Sequence, residues 1–486
     1  MTTRQDKHPL YVDLDGTLIH SDMLLESFLE LIRRNLLLIL LVPLWMLRGK
    51  AFFKREIARR VQLRVDLLPY NPQFLDFLCV EKKSGRRLIL ISASDDSLVQ
   101  AVAAHLGIFD QAIGSDGLVN CSGTRKLARI LATDQTFCYA GDGRIDLQVW
   151  KGASAAILVN TSAAVKIEAA RLTQIEQTFD RASDRALGGL RPYLKALRLH
   201  QWLKNTLVFL PLALAHQINN PELIWHALLA FLSFSLCASS VYVLNDLIDL
   251  PSDRQHRSKC RRPFAAGNIP LLHGLLMSPV LLLLAFALAQ LLPRAFVIVL
   301  ALYYLSTGLY SFVLKRIMLV DVIMLAALYT LRIISGAAAI SVVPSFWLLA
   351  FSMFLFFSLA VVKRYTELDY LREAGITQSE GRGYYAQDLN IMAMFGGASA
   401  FMSVMVFALY INNEDTREQY QTPEILWLIC PLLLYMVTRI WLLTARGRIE
   451  EDPIVFALKD RVSQLVTAAY GAMLWLATLD WRALLL

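Results

Sequence analysis

After residue 191 the chain carries about nine apolar runs, at roughly 204–217, 222–244, 271–291, 295–314, 319–340, 345–362, 391–411, 423–443 and 463–484. About 20 consecutive apolar residues cross a hydrocarbon core, where each segment must satisfy its own backbone polar groups. This half is therefore restricted to an all-α, polytopic membrane domain. A chain that is 56% hydrophobic, with mean hydropathy +0.47, is excluded from the wholly soluble class. The connections near 245–270, 315–316, 363–390 and 444–461 are rich in Arg and Lys, whereas those near 218–221, 292–294, 341–344 and 412–422 are short, neutral or acidic. The positive-inside rule puts the basic set on the cytoplasmic side of an inner (cytoplasmic) membrane. A net charge of +8 suits anionic headgroups and phosphate-rich ligands, and no nucleic-acid partner is expected.

The first 160 residues are of a different kind. Short apolar stretches at 10–15, 87–92, 136–142 and 156–160 end on polar residues or Gly and alternate with helical patterns. They predict the buried parallel strands of a soluble, Rossmann-like, doubly wound α/β domain, whose ligands gather beyond the strand C-termini. A mostly helical insertion at about 23–77 predicts a cap. Its run LLLILLVPLWML (36–47) is interrupted by Pro43 and too short to cross, so it is expected to be buried or to lie in an interface. Residues 161–190 are charged and Ala-rich and are expected to form a helical linker between domains at 1–160 and 191–486. The N-terminus shows no signal segment, so the soluble domain is expected in the cytoplasm. Six scattered cysteines indicate neither a disulfide framework nor a zinc site.

One polar stretch interrupts the apolar half: NDLIDLPSDRQHRSKCRRP, from Asn245 to Pro263. Asp246, Asp249 and Asp253 stand three and four apart, within about 60° of one helical face. Carboxylates so placed repel unless a cation joins them, and an all-oxygen set with Asn245 alongside favours Mg2+. With Arg254, Lys259 and Arg262 beside them, the stretch predicts a seat for a metal and a polyanion. A solvated positive-inside loop explains the cations but not the carboxylate spacing. Pro251 disfavours regular helix between the second and third aspartates.

In the soluble half, Asp13 and Asp15 stand two apart just beyond a strand. One can attack phosphorus while the other serves as acid and base. Asp142 and Asp146 follow another strand and suit Mg2+, Ser92 ends a third strand, and Lys126 can neutralise phosphate charge. These four motifs, in this order and with a helical cap after the first, resemble haloacid dehalogenase-like (HAD) phosphatases over about residues 8–160. The resemblance implies Asp13 as nucleophile, Asp15 as acid/base, Ser92 and Lys126 as phosphate binders, and Asp142 as metal ligand aided by Asp13 and the backbone of Asp15, with Asp146 supporting. A catalytically idle HAD-like domain used for regulation or stability is the rival reading.

Ionisable residues at membrane depth or span ends are costly and point to function. Here they are Lys204, Arg332 within the fifth run, Lys363, Arg364 and Glu367 after the sixth, and Arg382 beyond. Their common side predicts a basic funnel for a substrate with several phosphates. The N-D-x-x-D-x-x-x-D pattern and the second polar segment resemble the UbiA superfamily of intramembrane prenyltransferases over about 191–486. That superfamily uses Mg2+ and two aspartate-rich helices to ionise a diphosphate. In place of a second D-x-x-x-D this chain has KRYTELDYLRE. That departure, with LRLHQWLKN (197–205) and DRQHRSKCRRPFAAG (253–267), resembles the branch making polyprenyl-phosphate phosphoribose. There the donor is phosphoribosyl pyrophosphate and the nucleophile a polyprenyl phosphate lipid.

These readings lead to one expected pathway. The membrane domain would make polyprenyl-phosphate 5-phosphoribose and the HAD domain would remove its 5-phosphate. The alternatives are a prenyltransferase moving an isoprenoid to an aromatic or tetrapyrrole acceptor, and a lipid or solute transporter with a soluble regulatory domain.

Overall fold

A computed structural model describes residues 7–116, 119–180, 189–378, 382–414, 420–449 and 452–479. It divides into two compact units, Met1–Leu197 with Tyr242–Pro279, and Arg198–Val241 with Val280–Leu486.

The first unit is built on six parallel strands, β1 (Leu10–Val12), β2 (Leu88–Asp95), β3 (Gln111–Ser115), β4 (Cys138–Gly141), β5 (Ala155–Val159) and β6 (Gln174–Phe179), in the order β3-β2-β1-β4-β5-β6. The central strands are apolar because helices cover both faces: Leu10, Val12, Leu88 and Leu90 enter one core, Tyr11, Ile89 and Ile91 the other. Strand order reverses between β1 and β4, which opens a crevice beyond their C-termini. Two strands go beyond the four expected. β3, QAIGS, is an edge strand that opens on exposed Gln111 and contains Gly114, and β6 is the other edge, QIEQTF, exposed and with little apolar signal. The segment expected as a linker thus carries the helix Ala163–Leu172 and the sixth strand; residues 181–188 lie outside the described residues.

The cap is helical. Asp22 caps Met23–Arg34 by accepting the Leu24 and Leu25 N–H groups at 2.8 and 3.1 Å, which satisfies otherwise orphaned donors. The run after it folds as a 3₁₀ helix, Leu36–Leu41, and a short α-helix, Val42–Leu47. Leu40 and Leu47 are 74% and 85% exposed, so this run is an apolar surface face rather than a buried element. Lys50–Ala58 then returns to the sheet.

In the same unit, the aspartate-rich stretch leaves the long helix Pro221–Ile248 and enters the short helix Leu250–Gln255. Pro251 does break the long helix, but it sits in the first turn of the next, where its missing N–H costs nothing. Helical spacing continues, with Asp249 N–H donating to the Asn245 carbonyl at 2.8 Å and Asp253 N–H to that of Asp249 at 2.9 Å.

Among the described residues seven helices are long and apolar enough to cross a membrane: Pro221–Ile248, Leu271–Ala289, Arg294–Phe312, Val320–Ala339, Phe346–Glu373, Ala386–Ile411 and Pro423–Ala445. The two further runs of the expected nine or so lie at the two ends of this half. The first run folds as a 3₁₀ helix, Leu199–Phe209, and a five-residue helix, Leu210–Leu214. The last gives Arg461–Ala477, 17 residues, and residues 480–486 lie outside the described residues. For the first run the reason is physical: hydropathy registers apolar content but not the backbone form that carries it.

Candidate active sites and family

At the crevice of the parallel sheet, Asp13 follows β1 and Asp142 follows β4, and the two strand ends are tied by Asp13 N–H donating to the Ala140 carbonyl at 3.0 Å. The carboxylates of Asp13, Asp142 and Asp146 lie within 4.8 Å of one another. Gly16 lets the loop after β1 close over them. Its φ is +75°, and a Cβ there would stand 2.2 Å from Asp142 Oδ2. Lys126 Nζ is 2.9 Å from Asp13 Oδ1 and donates to Tyr139 Oη at 2.9 Å, and that hydroxyl donates to Asp146 Oδ1 at 2.7 Å. Asp15 accepts the Met23 N–H at 2.8 Å, Ser94 Oγ at 2.8 Å and Ser92 Oγ at 3.2 Å.

The electrostatics follow from burial and crowding. Burial pushes the Asp13 carboxyl up to about 7, with Lys126 opposing and Asp146 and Asp15 adding to the rise. Burial and the carboxylates of Asp146, Asp13 and Asp15 push Asp142 to about 8. Burial and then Asp22 also raise Asp15, which favours the protonated form a general acid needs. Asp13 and Asp142, which burial and crowding hold back from ionising, converge with Asp146 in an all-oxygen set that fits a hard divalent cation, which would reverse the two shifts.

Asp246 stands in the last turn of the long helix Pro221–Ile248, Asp249 just beyond its end, and Asp253 in the short helix Leu250–Gln255. The Arg262 guanidinium nitrogen Nη1 donates to Asp246 Oδ1 at 3.1 Å and to Asp253 Oδ2 at 2.6 Å. The first and third carboxylates therefore already converge on one positive centre, on the same side of the chain as the spacing predicted. Asn245 is half-buried beside them, and Lys259 stands in the 3₁₀ turn Lys259–Arg261. Arg254 is turned elsewhere, as a bidentate partner of Glu26.

Within the second unit the expected residues form two clusters, in which Lys363 and Glu367 stay partly exposed. Lys204 Nζ donates to Asp452 Oδ2 at 2.5 Å, Tyr329 Oη donates to the same carboxylate, and Lys363 Nζ stands 3.9 Å from it. Arg364 pairs with Asp321 at 2.5 Å and also with Glu367, which accepts from Arg382 at 2.6 Å. Arg332 is held among protein groups, donating to Asn205 Oδ1 at 3.0 Å and to the Leu328 carbonyl at 2.6 Å, over the rings of Phe234, Tyr303 and Tyr329.

Known proteins bear on both halves. Residues 205–456, just over half of the chain, match the UbiA prenyltransferase family. The chain belongs to the UbiA prenyltransferase family. Ahead of its UbiA domain, residues 10–151 match haloacid dehalogenase-like hydrolases, and the chain carries such a domain. A Sinorhizobium fredii protein, y4nM, is 36% identical over 95% of this chain and 89% of its own length. The nodulation protein NoeC of Azorhizobium caulinodans is 32% identical over 55% of this chain and 87% of its own length. Decaprenyl-phosphate phosphoribosyltransferase of Mycobacterium tuberculosis is 28% identical over 59% of this chain and 92% of its own length. The UbiA domain, with seven candidate spans, makes this a multi-pass membrane protein and, with the HAD domain, an enzyme.

Two further residues join these sites. Asp452 is one of the ionisable residues that the sequence places at span ends, in the basic connection at 444–461, and the structure makes it the carboxylate on which Lys204 and Lys363 of the UbiA domain meet. Lys54 extends from the cap to the Ala93 carbonyl at 2.7 Å and Asn120 Oδ1 at 3.2 Å, beside the Ser92 and Ser94 hydroxyls that face Asp15. Burial lowers its pKa, with Asp15 and Asp22 opposing. Lys54 sits in no motif that sequence could have flagged.

Proposed function

We propose that the UbiA domain transfers the 5-phosphoribosyl group of phosphoribosyl pyrophosphate to a polyprenyl phosphate, and that the HAD domain removes the 5-phosphate of the product. The observation that carries this reading is the state of the second polar segment. Where a second acidic pair would hold metal, Lys363 and Arg364 stand, and the nearby carboxylates are committed to cations: Asp452 to Lys204, Asp321 to Arg364, and Glu367 to Arg364 and Arg382. Such a segment is suited to binding an anion, and a lipid phosphate is an anionic nucleophile.

In this reading a phosphate oxygen of the lipid attacks the anomeric carbon, the bond from that carbon to pyrophosphate breaks, and pyrophosphate departs with the electron pair. Mg2+ held by Asp246, Asp249 and Asp253, with Asn245, would neutralise the leaving group. Lys204 and Lys363 hold the acceptor phosphate in line, while Arg332 and Arg364, saturated by protein partners, fix the framework around them. The acceptor is already ionised and needs no general base.

In the HAD domain Asp13 attacks the 5-phosphorus while Asp15 delivers its proton to the departing ribose oxygen, and Asp15 then activates the water that releases phosphate. Lys126 carries phosphate charge, and a Mg2+ on Asp13, Asp142 and Asp146 would supply the remaining neutralisation. Both sites face the cytoplasm of an inner membrane in this scheme, so the product of one reaches the other without crossing.

Purified full-length protein given labelled phosphoribosyl pyrophosphate and a polyprenyl phosphate is expected to label the lipid in the presence of Mg2+. Asp13→Asn is expected to keep the label on the lipid and make the phosphorylated form accumulate. If no label reaches lipid while a prenyl diphosphate and an aromatic acid react, the transferase reading is wrong. An unchanged product ratio in Asp13→Asn removes the phosphatase from the pathway.

A further inference from the structure

Arg254 was expected at the substrate, yet the structure commits every side of its guanidinium elsewhere within the first unit. Nη2 and Nη1 donate to Glu26 Oε1 and Oε2 at 2.6 and 3.1 Å, and Nε donates to the Ala265 carbonyl at 3.2 Å. The side chains of Arg254 and Glu26 are 8% and 5% exposed. Glu26 belongs to the cap helix Met23–Arg34 and is itself held by Ser21 Oγ at 2.5 Å. The same helix begins at Met23, whose N–H is bound by Asp15, the proposed acid of the phosphatase. One turn of helix therefore separates a catalytic carboxylate of the HAD domain from the residue that grips the aspartate-rich segment of the UbiA domain.

A second contact adjoins the first. Gly267, at φ +67°, packs so closely that a Cβ would stand 2.8 Å from His20 Cβ and 3.0 Å from the His20 carbonyl oxygen. The segment from Arg254 to Gly267 is thus fastened to the HAD domain at both ends, and Arg262, which draws Asp246 and Asp253 together, lies between the fastenings.

We infer that Glu26 is a positioning residue for the transferase: through Arg254 it fixes the segment that presents Asp253 and Arg262, so the HAD domain supports transfer independently of its own chemistry. A bidentate, buried carboxylate–guanidinium pair suits this task because its planar fork sets orientation as well as distance. The inference rests on the proposed function only in naming the reaction that suffers; the fastening itself does not depend on it.

The test uses the full chain in detergent, with Glu26→Gln, Arg254→Gln, the exchange Glu26→Arg/Arg254→Glu, and Arg64→Gln on an exposed cap ion pair as control. Hydrogen exchange of peptides covering 250–268 and the kcat and KM for labelled phosphoribosyl transfer are read together. Both single variants are expected to speed exchange at least tenfold and to lower kcat/KM at least tenfold, the exchanged pair to recover part of each, and the control to match wild type. If Arg254 instead binds the donor, Glu26→Gln frees it and leaves transfer intact or better while Arg254→Gln abolishes it, which overturns the inference. Wild-type exchange in Glu26→Gln overturns it as well. If wild type transfers no phosphoribosyl group at all, the proposed donor is wrong, and faster exchange in the variants still establishes the fastening.

Discussion

The carboxylate trio of the HAD domain makes a prediction with a defined sign. In the metal-free fold Asp13 lies at about 7 and Asp142 at about 8, against an ordinary 3.8. Between those values the folded state keeps protons that the unfolded chain has lost. Stability is therefore fully present below about pH 4 and is lost as pH rises through 7 to 8, at about 1.4 kcal/mol per pH unit for each such group. Raising Asp13 from 3.8 to about 7 thus costs on the order of 4 kcal/mol at pH 8. A bound divalent cation removes the cost by holding the carboxylates ionised, so Mg2+ should stabilise the domain far more at pH 8 than at pH 5. The assay is hydrogen exchange of peptides covering β1 and β4 in the full chain, corrected for intrinsic exchange, with chelator or millimolar Mg2+. In chelator, Asp13→Asn should also be better protected than wild type at pH 8, by a margin that shrinks at pH 5. Equal Mg2+-linked gains at the two pH values would refute the reasoning, because they would mean that the carboxylates ionise in the fold as they do in water.

Two further outcomes concern the second unit. Asp452→Ala leaves the buried Lys204 ammonium without its carboxylate and is expected to cost roughly 3–5 kcal/mol, with Lys204→Met/Asp452→Leu recovering much of it. Thermal unfolding in detergent reads both, and strictly additive losses would contradict the pairing. Gly336→Ala would place a Cβ 2.0 Å from the Val208 carbonyl oxygen, so Val320–Ala339 must move off the Leu199–Phe209 segment. A loss of at least about 1–3 kcal/mol is expected, and an unchanged unfolding temperature would disprove the close approach.

The HAD motifs were legible because each carries its chemistry in a short local pattern, at a strand end for all but Lys126, which stands in the helix Thr124–Leu131. Asp13, Asp15, Ser92, Lys126, Asp142 and Asp146 assemble around one crevice because parallel strands deliver their C-termini to one edge. β3 and β6 were not legible, since both are edge strands with polar residues and little apolar periodicity. The nine apolar runs gave seven candidate spans among the described residues: the first run folds largely as a 3₁₀ segment, which hydropathy cannot separate from an α-helix, and the last is an α-helix of 17 described residues. Among the cations, the sequence supplied candidates for phosphate binding but not their partners. Arg332 and Arg364 proved to be enclosed by protein groups, and Lys204 and Lys363 proved to share Asp452.

The sequence by itself determined the class of each half: a parallel α/β domain with carboxylates at its strand ends, and a helical membrane domain with an aspartate-rich segment. Those features are local, written in period, run length and spacing. Only the tertiary structure decided which charge meets which. Glu26 and Arg254 are 228 residues apart in the chain, as are Lys204 and Asp452 by 248, and no periodicity relates positions so distant. Their pairing depends on where the folded backbone brings two side chains together out of water, and there an unmatched charge is too costly to leave.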